Sequence, residues 1–334
     1  MKYSPVSDLI KCDTYHHTVV RDDILVARGL VALFAWKKGE SALLWDNVTP
    51  LKMDRTDYPA AVGAGVAATM FVSTKKGPYH YHAYDLTSGD PLWNTKLNIK
   101  ASKTEMHVTS DSVVAVGYNH KTKKNELVRL SLTDGSVLST IGAPPPERLF
   151  KVGDNLFLTG WKGVFRLDGE TFENIQPDKA LTAVASHSHL YTFSRPKLEM
   201  THTFRSWDSK GNLLSENVVE EMSPCSMLVL DDSRIWMSLD PGNGPGVFDC
   251  EKGEFQWRAE GRDRRVSQPC RLGDYVLARV ACPNAPVSLE AWHIETGEHF
   301  IIEDLPFFHR VDVVDGLVVL CLSDGLQSIR LNEN

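Results

Sequence analysis

Two pairs of histidines have a spacing that could hold a metal ion. His80 and His82, and likewise His187 and His189, are separated by one residue, and residues two apart on a β-strand point to the same face. Imidazole is a common ligand of zinc and copper. Only His80 and His82 lie in a clear strand, and neither pair has an obvious third ligand. We therefore interpret them as histidines of an outer strand, with His80 and His82 as the candidates if a metal binds, and we expect no metal.

The cysteines and serines give no catalytic or zinc-binding motif. The six cysteines are Cys12, Cys225, Cys250, Cys270, Cys282 and Cys321. None forms a Cys-x-x-Cys pair, so a zinc site is not expected. Cys225, Cys250, Cys270 and Cys282 are close enough in sequence for a disulfide in an oxidising compartment, but buried thiols are the favoured interpretation. Local Gly-x-Ser-x-Gly and Ser-His-Asp motifs are absent, although a triad assembled from distant segments would leave no local pattern.

The charge balance argues against a nucleic acid partner. The formal net charge is -7, whereas binding to phosphates depends on clustered Lys and Arg. The basic stretches Lys121/Lys123/Lys124 and Arg262/Arg264/Arg265 are short and fall in expected turns. No apolar run approaches the length of a membrane-spanning helix. The first residues lack the apolar core of a secretion signal, so we expect a cytoplasmic protein, or a periplasmic or secreted one if a signal peptide was removed.

A repeated pattern of an apolar strand, a polar turn with Gly and a second short apolar run dominates the chain. Its turn glycines are Gly39, Gly89, Gly135, Gly169, Gly211, Gly253 and Gly297. Their mean spacing is about 43 residues, which is typical of propeller blades. Gly allows the positive φ that such hairpin turns need, and the Asp, Ser or Thr before it can bond the turn backbone. Each copy therefore predicts a hairpin of the two outer strands of a blade.

A second apolar run precedes each hairpin and predicts an inner strand packed on both faces, as in 113–116 and 317–320. The sequence contains eight such inner runs but only seven turn glycines. This predicts one all-β propeller domain over 1–334 with eight four-stranded blades, or seven if the short interval between Gly135 and Gly169 hides a degenerate unit. Residues 5–10 are expected to complete the last blade. The repeats are approximately 13–50, 51–98, 99–142, 143–178, 179–220, 221–262, 263–304, and 305–334 with 1–12.

The segment 83–93, Ala-Tyr-Asp-Leu-Thr-Ser-Gly-Asp-Pro-Leu-Trp, resembles the repeat of pyrroloquinoline-quinone-type propellers, the quinoprotein alcohol dehydrogenase-like superfamily. The segments 291–297 and 248–257 are looser matches. The resemblance implies that Trp45, Trp93 and Trp257 dock between adjacent blades. The quinone enzymes carry an adjacent Cys-Cys pair, which this sequence lacks, so no cofactor is expected. WD-repeat propellers are the alternative, although only Trp207-Asp208 supplies their dipeptide.

Three loops interrupt the compact repeat, at 143–148, 241–246 and 281–286. Proline-bearing loops on a rigid scaffold lose little entropy when they dock, so they are candidate recognition elements. The alternative, which we weigh equally, is that these loops only connect strands. The candidate partner-binding residues are Pro144, Pro145, Pro146, Arg148, Asn243, Pro245 and Asn284. We expect a non-enzymatic scaffold for a protein partner; the alternative is an enzyme or small-ligand binder that uses the central funnel.

Two glycines allow the assignment of turns to be checked. If Gly89 is a hairpin residue with positive φ, Gly89→Val should destabilise the protein by roughly 1–3 kcal/mol. Gly244 lies in the loop 241–246, and we expect it to tolerate the same substitution far better.

Overall fold

The structure is a computed structural model that describes residues 2–12, 15–29, 32–48, 60–72, 78–194, 201–219, 224–239, 244–260, 265–282 and 285–332. These residues form β-strands joined by turns and loops, and none of them lies in a helix. The described part of the chain therefore holds no helix that could cross a membrane. A cytoplasmic location stays a prediction.

The strands form eight antiparallel sheets, numbered here as blades along the chain. Blade 1 contains β3 (Tyr15–Arg21), β4 (Ile24–Gly29), β5 (Ala32–Lys37) and β6 (Trp45–Val48). Blade 2 contains β7 (Ala60–Gly63), β8 (Val66–Val72), β9 (Tyr79–Asp85) and β10 (Pro91–Leu97). Blade 3 contains β11 (Ile99–Val108), β12 (Ser112–Asn119), β13 (Lys124–Ser131) and β14 (Val137–Gly142). Blade 4 contains β15 (Arg148–Val152), β16 (Asn155–Gly160), β17 (Gly163–Asp168) and β18 (Thr171–Gln176).

The second half of the chain repeats this arrangement. Blade 5 contains β19 (Ala180–Ala185), β20 (His189–Ser194), β21 (His202–Asp208) and β22 (Leu213–Val219). Blade 6 contains β23 (Pro224–Val229), β24 (Arg234–Leu239), β25 (Gly246–Asp249) and β26 (Glu254–Arg258). Blade 7 contains β27 (Arg265–Leu272), β28 (Tyr275–Cys282), β29 (Ala285–His293) and β30 (His299–Ile302). Blade 8 contains β31 (Arg310–Val314), β32 (Leu317–Cys321) and β33 (Gly325–Asn332), with β1 (Lys2–Pro5) and β2 (Ile10–Lys11) from the amino terminus.

The first strands of all eight blades form a closed ring. Each first strand contacts the first strand of the next blade, and β31 of blade 8 contacts β3 of blade 1. The second strands are buried on both faces, as in β12 and β32, because neighbouring blades cover them. The prediction of an eight-bladed all-β propeller is confirmed.

The amino terminus completes blade 8. Lys2 to Pro5 pair with Asn332 to Ile329, and Ile10 pairs with Leu326 further along β33. Between these two strands, the N–H groups of Val6 and Ser7 donate to the carbonyl of Ser328. Ile10 packs among buried side chains of blades 1 and 8. The expected completion of the last blade by an amino-terminal strand is therefore confirmed, but its predicted bounds of 5–10 are wrong, because the pairing strands are Lys2–Pro5 and Ile10–Lys11.

The two ends of the propeller differ in how the strands are connected. Because the strands of a blade are antiparallel, the turns from first to second and from third to fourth strand share one end, which we call the turn face. The connections from second to third strand, and from one blade to the next, share the other end, which we call the loop face. The seven turn glycines predicted from the sequence all have positive φ, between 58° at Gly169 and 88° at Gly39. They lie on the turn face.

Three tryptophans fasten neighbouring blades together at the turn face. The indole N–H groups of Trp45, Trp93 and Trp257 donate to the carbonyls of Leu86 (2.9 Å), Leu132 (2.8 Å) and Ile294 (2.6 Å) in the following blades. Each indole lies against the turn glycine of that blade. A Cβ on Gly89, for example, would lie 2.5 Å from Trp45 Cγ. The expected docking of these tryptophans between blades is confirmed; we call each arrangement a Trp latch.

Candidate functional site

The candidate partner-binding residues that lie within the described part of the chain belong to the loop face. Residues 143–147 connect β14 to β15, and Arg148 begins β15. Pro245 precedes β25 in the connection from β24. Asn243 and Asn284 lie outside the described residues. The structure therefore brings Pro144, Pro145, Pro146 and Arg148 together, in one connection between blades 3 and 4.

Pro245 takes part in the packing of blade 6. It is buried, and its carbonyl accepts the N–H of Ala259 at 2.9 Å. At the neighbouring Gly244, the Ala259 carbonyl occupies the place that a Cβ would take. The expectation that Gly244 tolerates valine is therefore wrong, because the loop is packed against the 259–260 backbone and is not open to solvent there. Pro245 is not part of the surface that we consider below.

The loop that carries the three prolines packs on the hairpin between β16 and β17. The N–H of Glu147 donates to the carbonyl of Thr159 at 2.8 Å. The carbonyl of Pro145 fills the place of a Cβ at Gly160, so only glycine allows this approach. Trp161 follows at the tip of the hairpin and is 68% exposed. Pro145 and Arg148 are exposed beside it.

A lysine from the next connection lies over this tryptophan. The ammonium of Lys179 is 3.2 Å from the centroid of the Trp161 ring, which is an attractive cation–π arrangement. The same ammonium is 3.3 Å from a carboxylate oxygen of Glu147. These contacts join the proline loop, the hairpin and the connection to blade 5, and they restrict the orientation of the indole.

A cleft of about 220 Å³ adjoins these residues. Its walls include Glu147, Arg148, Leu181, Pro224 and Cys225, from the first strands of blades 4, 5 and 6 and the connections before them. Leu181 is 44% exposed, and Arg148 donates to the carbonyl of Ala183 at 3.4 Å. We call residues 144–148, Trp161, Lys179, Leu181, Pro224 and Cys225 the Trp161 surface.

The turn face is mainly acidic, and exposed cations gather on one part of the loop face. Exposed carboxylates crowd the turn face, many of them in the turns themselves: Asp22, Glu40, Asp90, Asp111, Asp134, Asp154, Asp168, Glu170, Asp232, Glu251, Glu254, Asp274, Glu295, Glu298 and Asp315. The exposed cations of the loop face include Lys121, Lys123, Lys124, Arg148, Lys162 and Arg265. Most of these loop-face cations belong to blades 3 and 4, next to Trp161. The Trp161 surface is therefore aromatic and locally basic.

His80 and His82 belong to a column of rings between blades 1 and 2. The His80 and His82 rings are 6.2 Å apart, Tyr84 stacks on His82 at 6.0 Å, and Trp45 stacks on Tyr84 at 6.3 Å. Burial lowers the pKa of His82 from 6.5 to about 4, with smaller contributions from His80 and Arg28. A neutral, stacked imidazole serves packing. Among the described residues no group of three or more His, Cys, Asp or Glu could hold a metal ion.

Ser188, His189 and Asp232 meet at the turn face between blades 5 and 6. His189 Nδ1 lies 2.9 Å from Ser188 Oγ and 3.2 Å from Asp232 Oδ1, and Ser188 Oγ also donates to Asp232. In a catalytic triad the two imidazole nitrogens serve the serine and the carboxylate separately. Here one nitrogen faces both groups, so this arrangement does not activate the serine. The hydrogen bond from Ser188 lowers the pKa of Asp232.

Thr18, Arg310 and Asp312 form a hydrogen-bonded cluster near the propeller axis. Thr18 Oγ1 donates to Asp312 Oδ1 at 2.8 Å, and Arg310 Nε donates to Asp312 Oδ2 at 3.0 Å. Burial raises the pKa of Asp312, and Thr18, Arg310 and Asp312 link the innermost strands of blades 1 and 8. An enzyme or small-ligand binder that uses the central funnel stays a prediction.

The family resemblance suggests a quinone cofactor, but the residues present do not fit one. No two cysteines are adjacent in the sequence, and Cys250, Cys270 and Cys282 are thiols. Burial raises the pKa of the Cys250 and Cys270 thiols, which makes them poor nucleophiles and ligands. The described residues also lack the cluster of carboxylates that a calcium ion beside such a cofactor would need.

Sequence reasoning missed the centre of the Trp161 surface. Trp161 stands in the segment Gly160-Trp161-Lys162-Gly163, where two glycines flank a large aromatic residue. A tryptophan in a two-residue turn has no neighbours on its own hairpin to bury it, and this was the available signal. Lys179 and Leu181 carry no such signal, because their place beside Trp161 depends on how consecutive blades pack.

Comparison with known proteins shows the fold. No family model and no curated protein sequence matches the chain. Among solved structures, BamB from Moraxella catarrhalis superposes with a TM-score of 0.71 at 14% identity, over 99% of this chain and 98% of that one. The C-terminal WD40 domain of Sif2 gives a TM-score of 0.70 at 10% identity, over 99% of both chains. The computationally designed Ika8 protein gives 0.69 at 14% identity, over 98% of this chain and 99% of that one. The chain is an eight-bladed β-propeller.

Proposed function

We propose that this chain is a non-enzymatic interaction module that binds a protein partner across the Trp161 surface. The observation that carries the proposal is Trp161, whose side chain is 68% exposed while Lys179 restricts its orientation. Tryptophan is enriched among the residues that dominate binding energy at interfaces, because it buries a large area with few rotatable bonds. An indole that is already oriented loses less entropy on binding.

The charge around Trp161 favours an acidic segment of the partner. Lys162 and Arg148 are exposed on either side, and Lys121, Lys123 and Lys124 are exposed on the adjacent blade. Complementary charge speeds association and fixes the register of a bound segment. The cleft of about 220 Å³ beside Leu181 has a mainly polar lining and is large enough for one side chain of that segment. The partner we propose therefore presents an extended acidic segment, with an apolar side chain that packs on the exposed Trp161 and Leu181.

We also propose that the chain belongs with the pyrroloquinoline-quinone-type propellers as a scaffold. The support is the repeat at 83–93 together with the Trp latches at Trp45, Trp93 and Trp257. The missing cysteine pair separates it from the quinone enzymes of that superfamily.

Site-specific photocrosslinking tests the proposed surface. Benzoylphenylalanine would replace Lys162 or Leu181 on the loop face, and Ser88 or Thr133 on the turn face, in the native host. We expect one protein to be crosslinked from positions 162 and 181, and little from positions 88 and 133. Mass spectrometry would identify that protein, and its crosslinked peptide should be rich in Asp and Glu.

Two substitutions show whether the crosslink depends on the indole. Trp161→Ala should lower the crosslinking yield at position 162 about tenfold or more, as expected for a dominant interface residue. Leu138→Ala is the matched control, because Leu138 is 53% exposed on the outer strand of blade 3 and lies outside the Trp161 surface. Crosslinking mainly from the turn face, crosslinking to nucleic acid, or an unchanged yield in Trp161→Ala would contradict the proposal.

A further inference from the structure

Most blade interfaces fill the space over the turn glycine with a side chain of the chain itself. Besides the three Trp latches, Arg166 of blade 4 donates to the carbonyl of Lys210 and lies against Gly211 of blade 5. Asn217 of blade 5 lies against Gly253 of blade 6. Such a side chain excludes water from the outer part of the interface.

The interface between blades 3 and 4 lacks this side chain. In blade 2, Trp93 pairs with Ala83, and the equivalent pair in blade 3 is Ser139 with Arg129, at the same irregularity in the register. Ser139 is too short to reach blade 4. No atom lies within 4 Å of the place that a Cβ on Gly169 would take. The turn of blade 4 is therefore uncovered where Gly89 and Gly135 carry an indole.

Gly39 of blade 1 is also uncovered, but the contact with the preceding blade is made differently there. Lys38 Nζ donates to both the carbonyl and the carboxylate of Asp315 in blade 8, at 2.6 Å each. Blade 3 has no corresponding bridge to Gly169 among the contacts of the described residues. The space over Gly169 between blades 3 and 4 is therefore an open cleft, whereas Lys38 bridges the interface between blades 8 and 1.

This cleft has a volume of about 370 Å³, which lies within the range of small-molecule sites. Its apolar walls are Val114 from blade 3 and Leu156 and Leu167 from blade 4, with Gly169 at the edge. Gly169, the equivalent of Gly89 and Gly135 that each lie under an indole, lines the cleft beside these three apolar side chains, whereas the rest of the lining is polar. A planar aromatic ring is therefore the group that fits the cleft.

Two cationic and two anionic side chains line the cleft. Arg129 Nη2 donates to the two carboxylate oxygens of Asp111, at 3.0 and 3.1 Å, which fixes the guanidinium plane. Lys151 and Asp154 also line the cleft, and within the described part of the chain neither makes an ion pair. Lys151 is half-buried and Asp154 is exposed, so a ligand with one charge would form an ion pair with only one of them. A ligand with both charges would satisfy both.

We infer that the cleft between blades 3 and 4 binds a free aromatic amino acid. The ring would occupy the latch position over Gly169 and against the Arg129 guanidinium, where stacking is favourable. The carboxylate would meet Lys151 and the ammonium would meet Asp154. This inference is independent of the proposed partner, since the cleft is on the turn face and the Trp161 surface is on the loop face.

Calorimetric titration of the full chain with L-tryptophan tests the inference. We expect saturable binding of one equivalent, at least tenfold tighter than that of indole-3-propionate, which lacks the ammonium, and of tryptophan amide, which lacks the carboxylate. Alanine, which lacks the ring, should not bind measurably. Absence of saturable L-tryptophan binding, or equal affinity for the three indole compounds, would overturn the inference.

Two substitutions locate the bound amino acid. Ser139→Trp supplies an indole in cis and should weaken L-tryptophan binding at least tenfold without lowering the melting temperature. Ile301→Trp is the control for an added surface indole, since Ile301 is 44% exposed on the outer strand of blade 7 and lies outside the cleft, and it should leave binding unchanged. Lys151→Met should weaken L-tryptophan about tenfold and leave tryptophan amide unaffected, which keeps the test valid if Ser139→Trp folds poorly. Binding that neither Ser139→Trp nor Lys151→Met weakens would place the amino acid elsewhere and contradict the inference.

Discussion

The turn face and the loop face of this propeller are built from the same strands but follow different rules. On the turn face, short turns with Gly at positive φ recur from blade to blade, and Trp latches join three pairs of neighbours. On the loop face, the connections differ in length and composition, and Trp161 and Phe307 are largely exposed. The turn face repeats because each blade must close and dock in the same way. The loop face varies because its connections are not part of the repeated turn, and each packs through contacts of its own, as at Gly160 and Gly244.

This difference separates stability from recognition within one domain. Substitutions in the turns and latches should act on the free energy of unfolding, because they strain the backbone or open a blade interface. Substitutions of Trp161, Arg148 and Leu181 on the Trp161 surface should act on binding, because these side chains are already exposed to water. The predictions that follow test this separation.

Removal of the strand that closes the ring should have the largest effect. Deletion of residues 1–12 takes away β1 and β2 and leaves the edge of β33 without its partner. We expect a fall in melting temperature of roughly 10 °C or more, together with aggregation through the exposed edge. Differential scanning calorimetry measures the first and light scattering the second. A peptide of residues 1–12 added in trans should restore part of the loss, and a truncated protein that melts like the full chain would show that closure is not needed.

Gly89→Val and Gly39→Val separate backbone strain from the latch. Both glycines have positive φ, 76° and 88°, which a β-branched residue adopts at a cost of roughly 1–3 kcal/mol. Only Gly89 faces a latch, because a Cβ there would meet Trp45 and a Cβ on Gly39 would meet nothing within 4 Å. Gly89→Val should therefore cost about 1–3 kcal/mol more than Gly39→Val. Urea unfolding measures both, and equal costs would show that the indole contact adds no constraint.

The ring column between blades 1 and 2 should make stability depend on pH. Burial lowers the pKa of His82 to about 4 in the folded state, from 6.5, so the unfolded chain binds more protons between these values. Stability contributed by the neutral ring is thus present above pH 6.5 and is lost as the pH falls towards 4. We expect a loss of about 1–2 kcal/mol, below the full shift because the ring is partly exposed.

His82→Phe is the control for this pH dependence, since phenylalanine can stack in the column and does not titrate. Urea unfolding at pH 4.5 and pH 7 should show a smaller difference in the variant than in the original chain. The same difference in both proteins would assign the effect to other groups, such as His107, whose pKa is also lowered by burial.

The sequence predicts the turn face well and the loop face poorly, for physical reasons. Gly89 and its six equivalents are recognisable because a turn with positive φ depends on local backbone sterics. Trp45 and Trp93 are recognisable because each follows the third strand of its blade at the same distance along the sequence. Pro245 looks like a loop residue and is buried, because the backbone of a neighbouring connection packs on it. Such contacts depend on the arrangement of several blades.

The same limit applies to the candidate site. Pro144, Pro145, Pro146 and Arg148 were recognisable from proline spacing, because stiff segments outside the repeat can be read locally. Trp161, Lys179 and Leu181 come from three different segments of the chain. Their convergence follows from the packing of blade 5 on blade 4, which no short motif encodes.

The most direct test of the separation is to measure melting temperature and partner affinity for Trp161→Ala and Gly89→Val side by side. The partner would be the protein identified by crosslinking, titrated at a temperature where both variants are folded. Trp161→Ala should weaken binding about tenfold or more and leave the melting temperature within about 1 °C of the original. Gly89→Val should lower the melting temperature by roughly 4–8 °C or more and bind the partner with unchanged affinity. If Trp161→Ala unfolds the protein, or if Gly89→Val weakens binding as much as Trp161→Ala does, the division of the propeller into a stabilising face and a recognising face is wrong.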